Sequence, residues 1–306
     1  MTLAVLLVHL VGALLLPFLA PGLINRIKAW WGGRRGAPLL QPLWDTRRLL
    51  RKQSVYSETT TAVFRLGPAV VMATTLAAAL LAPMTPGSGV LSFSNDVVIF
   101  AYTLGLGRLF LTLAALDTGS AFEGMGAARE ATFSVFAEPS LFLVLGTLGL
   151  FGGQATFAEL MGPHGWQTLP VKLLCAAVLM LLLLIESARI PVDDPTTHLE
   201  LTMIHEVMIL DHSGPELAML QYAAGLKMTI YMGLLAALLN PFPLTSQPWG
   251  SAVASLAIIG GAVASVGLME SLLARLRMRL IPQFALAASA LGLVALLIAV
   301  TRPHQG

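Results

Sequence analysis

Eight separate stretches of this chain are each long and apolar enough to cross a lipid bilayer, and no other feature limits its fold so sharply. They are Leu3–Ile24, Leu66–Met84, Val97–Leu116, Ser140–Phe157, Leu169–Ile185, Leu217–Leu239, Ala252–Met269 and Phe284–Val300. A spanning helix needs about 20 predominantly apolar residues, with a range of roughly 17–25. Backbone groups in hydrocarbon must be satisfied within the segment, so each stretch is expected to be a helix. The chain is 56% hydrophobic and only 11% charged, against about 25% charged in a soluble domain. Its mean hydropathy is +0.80. No block of soluble composition interrupts the spans. The expectation is an all-α polytopic membrane protein with eight transmembrane helices, forming a single integral-membrane domain over residues 1–306.

Lys and Arg set the expected orientation. The connection after the first span carries Arg26, Lys28, Arg34, Arg35, Arg47, Arg48, Arg51, Lys52 and Arg65. Arg129 follows the third span, Arg189 the fifth, and Arg275, Arg277 and Arg279 the seventh. These connections, at about residues 25–65, 117–139, 186–216 and 270–281, fall on one side and are expected to be cytoplasmic loops. Both termini are then outside, and the first helix, with its charges after the apolar run, is expected to be retained rather than cleaved. The opposite connections, such as "APMTPGSG" and "NPFPLTSQPWG", are short, carry Gly and Pro, and read as turns. The expected location is the cytoplasmic membrane, with the functional loops facing the cytoplasm. A net charge of +2 gives no reason to expect nucleic acid. The single Cys175 lies in an apolar run and reads as a small core residue.

Three basic-side segments carry the chemistry. Gly32 to Val55 reads either as a basic amphipathic helix lying on anionic lipid or as a docking surface for a soluble partner. Leu116 to Pro139 is rich in small residues and holds Asp117, Glu123, Glu130 and Glu138. Glu130 and Glu138 are eight residues apart, so a helix would set them on one face; a solvated loop is the plainer alternative. Glu186 then closes the fifth span, and "ARIPVDDP" breaks the helix. Asp194 and Thr196 supply capping material beyond the break. His198, His205 and His212 recur every seven residues. Seven helical residues rise about 10.5 Å, too far for three ligands to share one zinc at about 2 Å. They read as a row of titratable groups rather than a metal site.

Ionisable residues inside spans are costly and are usually functional or paired. Arg108 and Lys227 each lie near mid-span. A buried structural ion pair is the alternative to a transport role for them. Glu270, at the inner end of the seventh span, is expected to snorkel or pair with Arg275, and Glu186 to pair with Arg189 or be parted from it by the Pro turn. His9 reads as a helix-packing histidine.

These segments resemble the eight-helix membrane subunit shared by respiratory complex I and the membrane-bound group 4 hydrogenases. They are most similar to its formate hydrogenlyase subunit 4 and hydrogenase-4 component C branch. The resemblance rests on "RRGAPLLQPLWDTRRLLRKQSV", on "GRLFLTLAALDTGSAFEGMGAARE", and on the E-x-x-R-x-P-x-D pattern met by Glu186, Arg189, Pro191 and Asp193. Glu200 with Leu201, Lys227 and the run from Glu270 to Arg277 also match. The chain departs from the pattern at Thr196 and His198, where further glutamates are usual, and at Asp211-His212-Ser213-Gly214, where Glu-Tyr-Ser-Gly is usual. The resemblance implies a non-catalytic membrane anchor that couples a soluble redox arm to proton or sodium movement. It implies no metal or organic cofactor in this chain. Nickel–iron and iron–sulfur clusters are expected in partners: a hydrogenase-like large subunit, an iron–sulfur small subunit and antiporter-like membrane subunits. The implied ion path runs through Glu130, Glu138, Glu186, Asp193, Glu200, Glu206, Asp211, Lys227 and Glu270. The implied docking surface comprises Arg34, Arg35, Gln41, Asp45, Arg47, Arg48, Asp117, Arg129 and Arg189. A quinone-chamber subunit of a complex I-type NADH dehydrogenase and a free-standing ion transporter are the alternatives.

Overall fold

In the computed structural model the described residues are 3–87, 89–152, 155–162, 168–193, 203–242 and 247–301. Among them there is no strand, and eight helices are long and apolar enough to cross a membrane. The protein is an integral membrane protein of the all-α class. The helices are α1 (Leu3–Trp31), α2 (Gln41–Leu49), α3 (Ala62–Leu81), α4 (Asp96–Asp117), α5 (Ala121–Gly152), α6 (Phe157–Leu160), α7 (Leu169–Glu186), α8 (His205–Met208), α9 (Gly214–Leu239), α10 (Pro248–Leu272) and α11 (Ile281–Thr301). The short helices α2, α6 and α8 do not span.

Helix α9 is the axis of the bundle. It packs on α1, α3, α7 and α10. Of its most apolar window 78% is buried, against 28–44% for the other spans. Lipid tails are as apolar as leucine, so packing between spanning helices depends on close backbone approach at small residues. A Cβ at Gly225 of α9 would stand 2.5 Å from the Pro17 carbonyl oxygen of α1. One at Gly67 of α3 would stand 2.7 Å from the Ala114 Cβ of α4. Either glycine replaced by alanine would push its helices apart. His9 is buried and its Nε2 lies 2.8 Å from the Ala79 carbonyl oxygen, joining α1 to α3 as a packing histidine. Cys175 is buried in the core.

Two boundaries differ from the sequence expectation. Residues 121–139 are not a loop: α5 runs unbroken from Ala121 to Gly152, with Pro139 inside it. A proline forfeits one intrahelical bond, a loss that neighbouring groups can absorb in a packed bundle. The run before it, with Ala127, Ala128, Glu130, Ala131 and Ala137, consists largely of strong helix formers. Likewise α1 continues past Ile24 to Trp31, so the segment 25–65 begins helical. Its middle holds α2, with Pro42 in the first turn and no fully buried residue.

Candidate functional site

Helix α4 carries Arg108 into the bundle interior, where three carboxylates from two other helices meet it. Its Nη1 donates to Glu138 and its Nη2 to Glu186. Its Nε lies 3.3 Å from Glu130 Oε1 without a hydrogen bond. Glu130 and Glu138 reach it together because α5 is helical across both. Glu186, the last residue of α7, accepts on its other oxygen from Lys227 Nζ of α9 at 3.3 Å. The Arg108 side chain is 10% exposed and that of Glu186 6%. Two cations thus face three carboxylates, leaving one negative charge in excess when all are ionised. In a low-dielectric setting that excess favours uptake of a proton or a cation. Glu130, ion-paired but not hydrogen-bonded by Arg108, is the carboxylate held least tightly.

A second buried network lies between α7 and α10. Glu270 is ion-paired to Lys28 at 2.9 Å and to Arg189 at 3.4 Å. Asp193 accepts from the Ile204 and His205 backbone N–H groups, at 2.9 and 3.1 Å, and from Arg275 Nη2 at 2.8 Å. Its carboxylate thereby anchors the start of α8. The structure decides both pairings that the sequence left open. Arg189 does not hold Glu186: α7 ends there, Ala188 turns through a left-handed conformation (φ 49°), and Arg189 is carried toward Glu270 instead. Arg275 does not pair with Glu270: the chain leaves helix after Leu272, which lets Arg275 reach Asp193.

Toward the ends of α3 and α9 lies a third set. Asp117 accepts from the Thr61 and Phe64 N–H groups, at 2.7 and 3.1 Å, capping α3. Glu123 is buried and accepts from the Asp211 N–H at 3.0 Å. Tyr56 donates to Glu216, and the His212 ring stacks on Phe64 at 4.0 Å between centroids. Burial pushes the His212 imidazole down to about 4.

The structure thus brings Glu130, Glu138, Glu186 and Lys227 together around Arg108. Asp193 and Glu270 belong to the second network, Asp211 to the third set, and Glu206 lines the open cavity described below; Glu200 lies outside the described residues. Of the expected docking residues, Arg34, Arg35, Arg47 and Arg48 are exposed. Asp45 joins Gln41 at 2.9 Å and Arg48 at 3.0 Å. Three others are not free surface charges. Asp117 is engaged in capping, Arg129 donates to the Met203 carbonyl at 2.8 Å, and Arg189 is 8% exposed. The sequence offered Arg275 for Glu270, His205 as one of a row of titratable groups and Lys28 only as a basic-side charge. The partners that Lys28 and Arg275 take lie far away in the chain, and no local spacing signals them.

A cavity of about 470 Å³ opens between α1, α2 and α9. Phe18, Pro21 and Met228 give it an apolar wall, while Arg48, Lys52 and Glu206 give it charge. Burial and the nearby Asp193 push the Glu206 carboxyl up to about 7, against the pull of Arg189.

Residues 2–301 match the model of a family described as NADH dehydrogenase. The chain belongs to that family. Hydrogenase-4 component C of Escherichia coli K12 is 32% identical to the chain over 232 residues, covering 75% of this chain and 72% of that protein. Formate hydrogenlyase subunit 4 of the same strain is 28% identical over 307 residues, covering 94% and 96%. In three dimensions the fold matches a chain of the membrane-bound sulfane sulfur reductase, an archaeal respiratory membrane complex. That match has a TM-score of 0.80 at 20% identity and covers 97% of this chain and 100% of the other. At that identity it speaks for the fold alone.

Proposed function

We propose that this chain is the membrane-anchor and coupling subunit of a group 4 hydrogenase-type, complex I-related oxidoreductase. It links electron transfer in a soluble nickel–iron and iron–sulfur arm to proton or sodium translocation by antiporter-like subunits. The observation that carries the reading is the Arg108 cluster, in which three carboxylates share two cations within the bundle of spanning helices. Such a cluster changes its proton or cation occupancy when charge appears nearby. Glu138 supports a lateral continuation, because its side chain is 48% exposed on the outer face of the bundle while ion-paired to Arg108. The relatives, by name components of hydrogenase-4 and formate hydrogenlyase, support partner subunits of that kind. The 470 Å³ cavity, apolar on one wall and charged on the other, favours a second reading as the quinone-chamber subunit of a complex I-type dehydrogenase. Protection of the cavity residues by a quinone analogue in the purified complex would support that reading.

In this proposal the basic side is cytoplasmic, and Arg34, Arg35, Arg47 and Arg48 dock the soluble arm. Purification through a tag on this chain should bring down a hydrogenase-like large subunit and an iron–sulfur subunit. Replacing all four arginines with Gln should release that arm at moderate salt, because exposed ion pairs are weak singly and screened by salt. The membrane subunits should stay together. Recovery of the chain alone, carrying independent ion flux, would contradict the proposal. Orientation is tested by labelling: on a Cys175→Ser background, Ser54→Cys should react with an impermeant thiol reagent only from the cytoplasmic side. Labelling from outside would reverse the topology.

A further inference from the structure

His205 stands between two spaces. It lines the open 470 Å³ cavity, and it also lines a small inner chamber of about 30 Å³ together with Arg108, Glu130, Glu186 and Lys227. Its Nε2 is buried and has no hydrogen-bond partner among the described residues. Backbone and side chain are treated differently at this residue. The His205 N–H is fixed by Asp193, itself held by Arg275, so α8 is pinned while the ring stays uncommitted. A chamber of 30 Å³ is about the volume of one water molecule.

We propose that His205 is a proton-relay residue, passing protons between the open cavity and the carboxylates of the Arg108 cluster. The inference rests on the coupling role proposed above and deepens it. Burial and the neighbouring Lys227 push the imidazole down to about 4, against the pull of Glu186. At neutral pH the ring is therefore uncharged, with one bare nitrogen and one N–H. A proton from the Glu206 carboxyl, carried by cavity water, forms a new N–H at the bare nitrogen. The original N–H breaks on the other side, and its proton goes, directly or through one water, to Glu130, the carboxylate that Arg108 holds without a hydrogen bond. The ring then returns to its first tautomer by rotation or proton exchange. One proton enters and one leaves, and no redox partner is involved. The charged and titratable groups that line the two spaces are Asp45, Arg48, Lys52, Arg189, Glu206 and Tyr222 on the open side and Arg108, Glu130, Glu186 and Lys227 on the inner side, with Asp193 on the His205 N–H.

Glu206 is protonated below about pH 7 and ionised above it. Donation to the relay should therefore fade as pH rises through that value, and Glu206→Gln should flatten this limb of the profile. The test uses the assembled complex in proteoliposomes, with proton movement and electron transfer to an artificial acceptor measured side by side. His205→Gln keeps hydrogen-bonding capacity but cannot be protonated. It should retain electron transfer while lowering proton movement by about a hundredfold, the low end of the range for a positioned proton-transfer group. His205→Ala should behave likewise, and added imidazole should restore proton movement where the similarly sized but non-basic pyrrole does not. Unchanged proton movement in His205→Gln would overturn the relay. So would a loss in both variants that imidazole fails to restore, which would leave His205 a packing role. Glu186→Gln run in parallel separates the two proposals. If it loses proton movement while His205→Gln keeps it, the relay alone fails; if it too is unaffected, the coupling proposal fails.

Discussion

Arg108→Leu should be the most damaging single substitution in the bundle. It leaves Glu130, Glu138 and Glu186 without their shared cation, and only Lys227 remains, on Glu186 alone. Removing one partner of a buried ion pair costs about 3–5 kcal/mol, because the other charge is left uncompensated. That is a large share of the roughly 5–15 kcal/mol that a typical domain has in reserve. The expected result is a steep fall in membrane-inserted protein and a large drop in its thermal midpoint in detergent. Arg108→Lys should fall between wild type and Leu. It keeps the charge, but a single ammonium cannot present the planar fork that addresses three carboxylates at once. Adding Glu186→Gln to Arg108→Leu should recover part of the loss, since one stranded charge is then removed. An Arg108→Leu protein as stable as wild type would show that the cluster does not hold the helices together.

Much of this site was legible in the sequence, and the part that was not has a physical reason. Arg108 and Lys227 stand out because charges inside apolar spans are expensive, and the eight-residue spacing of Glu130 and Glu138 follows helical geometry. Pairing was harder to read. Glu186 has Arg189 three residues away, yet its partners are Arg108 and Lys227, which lie 78 and 41 residues distant. The local pair fails because the helix ends between the two residues and the backbone turns at Ala188. Glu270 repeats the lesson: the nearby Arg275 goes to Asp193, while Lys28, from the opposite end of the chain, takes the carboxylate. Residues 117–139 read as a connection between spans, with a helix through Glu130 and Glu138 as one alternative and a solvated loop as the other, since charge and Pro139 are common where helices break. In a packed bundle neither breaks α5, since Arg108 neutralises the charge and helix formers flank the proline. His205 read as one of a row of titratable groups; what sets it apart is a position between two cavities, which no one-dimensional pattern contains.

Glu186→Gln addresses the central claim, that the Arg108 cluster couples electron transfer to ion movement. Among the described residues Glu186 is the carboxylate bonded to both cations, and it closes α7 where the bundle meets the open cavity and α8. Gln preserves size, and its one carbonyl oxygen still accepts from Arg108 while the acceptor facing Lys227 is lost; Arg108 keeps Glu130 and Glu138, so the helices should stay in place. What it removes is a negative charge and the capacity to take up and release a proton. The cluster then has two cations and two carboxylates, and its excess charge is gone. The decisive measurement is the ratio of ions translocated to electrons transferred, in proteoliposomes of the assembled Glu186→Gln complex. The account predicts electron transfer to an artificial acceptor within about twofold of wild type and translocation lowered by about a hundredfold or more. A fully assembled variant with a wild-type ratio would contradict it.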